Sequence, residues 1–125
     1  MKLFLKGRLH GLKYAFKGVY LLIKTEHSIM TQSFIFSLII LLGFILEISK
    51  QDWINQTITM GLVLSIEGLN TAVEKIADFV HEDNHPKIGF IKDVSAGAVA
   101  FAAFTFIIVF IITYFPYLEK MLKLF

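Results

Sequence analysis

Residues 53–80 read WINQTITMGLVLSIEGLNTAVEKIADFV, an apolar stretch interrupted by Glu67, Asn70, Glu74 and Asp78. As a helix it is long enough to cross a hydrocarbon core of about 30 Å. The four polar residues recur at steps of three, four and four, so a helix projects them all from one face. Glu67 falls near the middle of the stretch. An ionisable group at that depth costs on the order of 3 kcal/mol unless it faces a cavity or a partner.

Working outward, residues 29–48 form a second apolar span that begins on the polar, interfacial Met30-Thr31-Gln32-Ser33. The turn Ser49-Lys50-Gln51-Asp52 is short, so these two spans are antiparallel neighbours, with Trp53 placed as an aromatic belt residue. A polar loop is expected over 81–93. It is followed by a third span over 94–115 that Pro116 stops. The first half of that span is small (Ser95, Ala96, Gly97, Ala98, Ala100), which suits close helix contact, and its second half is bulky. Upstream, Leu5, Leu9, Leu12, Phe16, Val19 and Ile23 recur at helical spacing beside a stripe of Lys6, Lys13, Lys17 and Lys24. That pattern suits an amphipathic helix within residues 1–28 lying in the membrane interface, with an ordinary amphipathic core helix as the alternative. The expected fold class is therefore all-α integral membrane: an N-terminal amphipathic interfacial helix plus three transmembrane helices, one membrane domain over 1–125.

Composition agrees. A hydrophobic fraction of 56% and a mean hydropathy of +0.69 are too apolar for a soluble domain of 125 residues. Cysteine is absent, which excludes disulfides and thiolate metal sites. Six basic residues (Lys2, Lys6, Arg8, Lys13, Lys17, Lys24) precede the first acidic one, Glu26. A basic start suits nucleic acid or an anionic membrane surface, and the long apolar runs decide for the membrane. No nucleic-acid partner and no cleaved signal peptide are expected. The N-terminal segment and the 81–93 loop share one side and hold eight basic residues, against Lys50, Lys120 and Lys123 on the other. The positive-inside rule puts the former in the cytoplasm, where ATP is available.

The intramembrane carboxylates admit three readings. They could fix helix packing by hydrogen bonds, although no basic residue is expected inside a span to pair with them. They could serve a small proton- or cation-coupled transporter. They could also serve a metal-dependent phosphoryl transferase, because carboxylate oxygens suit Mg²⁺ and a deep carboxylate can take the proton of a lipid hydroxyl. The 81–93 loop favours the third: it sets Asp83, His85 and Lys92-Asp93 beyond the acidic stripe, and a lysine there can hold phosphates. A topology anchor remains the plainer role for Lys92. No Walker motif or kinase glycine loop is present.

The stretch Glu67-Gly68-Leu69-Asn70-Thr71-Ala72-Val73-Glu74, then Asp78, then Lys92-Asp93-Val94-Ser95-Ala96-Gly97, resembles the signature of the prokaryotic diacylglycerol kinase family, which includes undecaprenol kinases. Tyr14, Lys17-Gly18 and Thr25-Glu26 also fall where that family has matching residues. The resemblance implies a homotrimer in the bacterial inner membrane, using Mg²⁺ and ATP to phosphorylate a lipid alcohol in the bilayer, diacylglycerol or undecaprenol. By position it implies Glu67 as general base and Glu26 and Glu74 as Mg²⁺ ligands. Tyr14, Glu26, Glu74, Asp83, Asn84, His85, Lys92 and Asp93 would meet the nucleotide, with Asn70 and Asp78 in support. The sequence departs from the family pattern at Met30 and Gln32, where an arginine and a glutamate or histidine are common, and it has Asp83 where glutamate is frequent.

Overall fold

A computed structural model describes residues 1–81 and 85–123, with the helical backbone alone for residues 2–6. Asp83 and Asn84 lie outside the described residues. The chain folds as four helices: α1 (Lys2–Thr25), α2 (His27–Ile45), α3 (Lys50–Val80) and α4 (Pro86–Leu122). Of these, α2 and α4 are long and apolar enough to cross a membrane. The most extensive pairing is between α3 and α4, with α2 on α3 and α1 on α2.

The junctions differ from the sequence expectation in instructive ways. The first helix ends at Thr25, inside the 1–28 segment expected to hold it, and only Glu26 separates it from α2. Glu26 is extended (φ −102°, ψ 111°), so it is at once the C-cap of α1 and the N-cap of α2. At the other end of α2, the Glu47 N–H reaches the Phe44 carbonyl and the Ile48 N–H the Gly43 carbonyl. This is a Schellman cap, and Glu47 takes its left-handed position with φ 49°. The α2–α3 approach is tight at Gly43, where an added Cβ would stand 3.0 Å from the Trp53 ring.

The loop expected over 81–93 is shorter. Helix α4 starts at Pro86, because proline at the first helical position gives up only an N–H that has no intrahelical partner. The His85 ring caps it, Nδ1 accepting from the Lys87 N–H at 3.2 Å. Nor does Pro116 stop the helix, which runs on to Leu122. The turn after the proline is held from outside. The Tyr117 hydroxyl accepts from the Ser49 N–H at 2.9 Å and donates to Asp52 Oδ2 at 2.8 Å. Ser49 also caps α3, donating to Asp52 Oδ2 at 2.6 Å and accepting from its N–H at 3.2 Å.

These bonds, Ser49 first and then Tyr117, hold the Asp52 carboxyl below its ordinary value of 3.8 against the opposing effect of burial. A depressed carboxylate stabilises the fold above its unfolded pKa, and the contribution is lost as pH falls through the folded value. Tyr117→Phe is therefore expected to cost about 1–2 kcal/mol near neutral pH, allowing for partial exposure. Thermal unfolding in detergent should show that difference shrinking below about pH 4. A difference that stays constant down to pH 3 would assign the loss to packing.

The apolar core is small: Phe36, Met60, Val63 and Ala102, flanked by Ile39, Leu64, Ile66 and Phe106. Tyr114 extends it, its hydroxyl within reach of Gln56 Oε1 (2.6 Å) and the Ile39 carbonyl (3.0 Å). Helix α3 buries Gln56, Thr59, Glu67 and Asn70 together with Met60, Val63 and Ala77, and exposes Ile58, Leu62, Leu69 and Ile76. Of the acidic stripe, Glu67 and Asn70 face the other helices, Glu74 is half-buried and Asp78 is exposed.

Candidate active site

The stripe on α3 becomes a site because α2 and the α1–α2 corner close over it. Glu67 is 7% exposed and Asn70 9%. Gln32 of α2 donates from Nε2 to Glu67 Oε2 at 3.3 Å. One turn along α3, Asn70 Nδ2 donates to Glu74 Oε1 at 3.0 Å. Each amide thus holds a carboxylate through its nitrogen. Each also leaves its oxygen, Gln32 Oε1 and Asn70 Oδ1, buried without a hydrogen-bond partner among the described residues.

The single-residue corner between α1 and α2 brings Glu26 to the same end of α3. Its Oε1 lies 3.7 Å from Lys75 Nζ, on the residue next to Glu74, and 3.1 Å from Thr25 Oγ1. Leu22, one turn earlier on α1, reaches Gly68, where an added Cβ would stand 3.1 Å from Leu22 Cδ1. Absence of a side chain at position 68 is what lets α1 approach α3 beside Glu67.

Glu67, Asn70 and Glu74 therefore share one face of α3, while Glu26, at the α1–α2 corner, meets Lys75 beside that face. Farther along, Lys92 of α4 forms an ion pair with Asp78 of α3. Asp93 is exposed beside it. Both are helical, not loop, residues. His85 has a structural task as the α4 cap and packs against the His81 ring at a centroid distance of 5.2 Å. Tyr14 is 69% exposed on α1, three turns before Glu26, so the structure does not join it to the carboxylates.

Two residues escaped the sequence reading. Lys75 lies inside the expected span, where no basic residue was expected, and its partner is Glu26 rather than a carboxylate of the α3 stripe; its position directly after Glu74 was the available signal. Gln32 was seen as a departure from a family pattern but not as the partner of Glu67. A polar amide within an otherwise apolar run was the clue.

The donors present suit a small hard cation. Glu74 supplies a carboxylate bonded to Asn70, whose Oδ1 has no hydrogen-bond partner among the described residues, and Glu26 supplies a second carboxylate against the neighbouring Lys75. No group of three or more acidic, His or Cys ligands gathers among the described residues. Mg²⁺ does not require one, because it is usually held by one or two carboxylates plus substrate phosphates and water. An apolar cavity of about 250 Å³ opens next to the site, lined by Val19, Leu22, Ile23, Ile29, Ser33, Leu64 and Ser65.

Apolar helices enclosing paired carboxylates beside an apolar cavity suit a membrane enzyme that works on a lipid. The comparisons give the class: the chain matches the prokaryotic diacylglycerol kinase family over residues 13–114. It belongs to that family and is a membrane-bound lipid kinase. It is 29% identical over 103 residues to the undecaprenol kinase of Bacillus subtilis (strain 168), covering 82% of this chain and 84% of the relative. It is also 29% identical over 94 residues to the diacylglycerol kinase of Haemophilus influenzae, covering 75% of this chain and 80% of that one.

Proposed function

We propose that this chain transfers the γ-phosphate of ATP, with Mg²⁺, to the hydroxyl of diacylglycerol or undecaprenol. The observation that carries the reading is a buried, amide-held Glu67 in line with the Asn70–Glu74 pair and bordered by an apolar cavity. In this reading the acceptor's hydrocarbon chain lies in the cavity and its hydroxyl meets Glu67. The hydroxyl oxygen bonds to the γ-phosphorus as the bond to the β-phosphate oxygen breaks, ADP leaves, and Glu67 receives the hydroxyl proton. Glu26 and Glu74 would hold Mg²⁺, and the ion would supply charge neutralisation for the phosphates. Asn70 keeps Glu74 oriented. Lys92, fixed by Asp78, and Asp93 attend the phosphates, with Tyr14, Asp83, Asn84 and His85 toward the nucleotide.

The same reading places α3 as a third membrane span and α1 in the interface. Support for α3 is its row of exposed apolar side chains, Ile58, Leu62, Leu69 and Ile76, opposite buried polar ones, an arrangement lipid favours and water does not. Support for α1 is its set of exposed apolar side chains, Leu9, Leu12, Phe16 and Val19 among them, on a helix rich in lysine. The N-terminus and the segment before α4 then face the cytoplasm of a bacterial inner membrane. The family resemblance adds a homotrimer, to be checked by the light-scattering mass of the protein in detergent. A mass of one chain would remove it.

Purified protein in mixed micelles with Mg²⁺ and γ-labelled ATP is expected to label one of the two lipid alcohols. Diacylglycerol and undecaprenol, offered separately, should differ at least several-fold in kcat/KM and so name the acceptor. Labelling of neither, with ATP intact, would overturn this reading. The kinase relationships leave the transporter reading without support of its own.

A further inference from the structure

We propose that Gln32 is a positioning residue for the carboxylate of Glu67, an inference that rests on Glu67 being the base. An ionised carboxylate only accepts hydrogen bonds, so the 3.3 Å contact has Gln32 donating from Nε2 to Oε2. The two residues are 35 positions apart on different helices, so the bond is tertiary and fixes α2 against α3 at the base. Held by one oxygen, Glu67 has its other oxygen left to take a proton in a defined direction. Without the clamp the side chain would rotate among its staggered conformers.

Gln32 Oε1 has no hydrogen-bond partner among the described residues, and Gln56, which bonds Tyr114, likewise leaves its Nε2 unpartnered, so the role rests on the partner of the bonded end. Here only the nitrogen end is used, and it is used on Glu67. The free oxygen has a place in the cycle. Once Glu67 has taken the lipid proton it becomes a donor, and rotation of the amide presents Oε1 to it. Glutamine therefore serves both protonation states of the base, donating to the carboxylate and accepting from the acid. A charged partner would favour one of them.

The test uses the full chain in mixed micelles and reads kcat and KM separately. Gln32→Met keeps the length and removes the N–H. It is expected to lower kcat by about tenfold or more, as small misplacements of a reacting group do, with KM for ATP and lipid within about twofold. Gln32→Leu is a second donor-free variant, should the Met variant fold poorly by thermal unfolding. Gln32→His, which retains an N–H, should recover most of the lost kcat. In a Glu67→Gln background, Gln32→Met should change the residual rate by less than about twofold, because the group it positions is already gone. Wild-type kcat in both donor-free variants would overturn the proposal. So would an equal loss in the Glu67→Gln background. Full activity of Glu67→Gln alone would remove the base assignment itself, and this inference with it, before Gln32 is touched.

Discussion

Glu67→Gln is expected to lower kcat by about 10²–10⁴, the usual contribution of a general base, while leaving the ATP KM near its wild-type value. The substitution preserves shape and can still meet the Gln32 amide, so the local packing at α2–α3 survives. What it removes is the ability to take a proton from the lipid hydroxyl. On the proposed reading ATP is held elsewhere, toward Glu26 and Glu74, which is why its KM should not follow. Thermal stability should hold or rise, because the variant removes a buried carboxylate that no cation neutralises among the described residues. A kcat within threefold of wild type would take the base away from Glu67. A fall in kcat accompanied by loss of the folded state would show a packing role instead.

Glu74→Gln should fail in a different way. The variant keeps a neutral oxygen beside Asn70 Oδ1 but removes one of two proposed carboxylates for Mg²⁺. The half-saturating Mg²⁺ concentration is expected to rise by at least about tenfold, with much of kcat recovered when Mg²⁺ is raised to match. Titrating Mg²⁺ at fixed ATP reads this directly. A loss of rate that no concentration of Mg²⁺ relieves would mean that Glu74 acts on something other than the metal. Comparison with Glu67→Gln, whose defect Mg²⁺ should not relieve, separates the two carboxylates by function.

The part of the site carried by α3 was legible in the sequence because it is local. Glu67, Asn70, Glu74 and Asp78 lie at helical spacing, and one helix suffices to line them up. Glu26 was placed by resemblance, and its geometric role was not visible: the corner it forms depends on α1 and α2 both stopping within one residue of it. The Gln32–Glu67 contact could not be read, since it depends on how α2 rotates against α3. Helix ends were mis-set for two opposite reasons. At Pro86 the proline starts a helix, a signal present in the sequence but read as part of a loop. At Pro116 it fails to stop one, because Tyr117 gains two hydrogen bonds to the α2–α3 turn that offset the lost backbone bond. Only the tertiary structure contains that compensation.

If α3 is the third span proposed above, its buried carboxylate also bears on how the chain would enter a bilayer. A translocating channel offers each segment to lipid before its neighbours have packed, and two carboxylates in a lone α3 would make that exchange unfavourable by several kcal/mol. Helix α2 faces no such barrier, and the two are joined by a tight Schellman turn. Entry as a hairpin would let Gln32 meet Glu67 while both are still leaving the channel. The later arrival of α4 then seals the turn through Tyr117. Residues at that turn, far from any phosphate, would on this account govern how much protein reaches the membrane rather than how fast each molecule works.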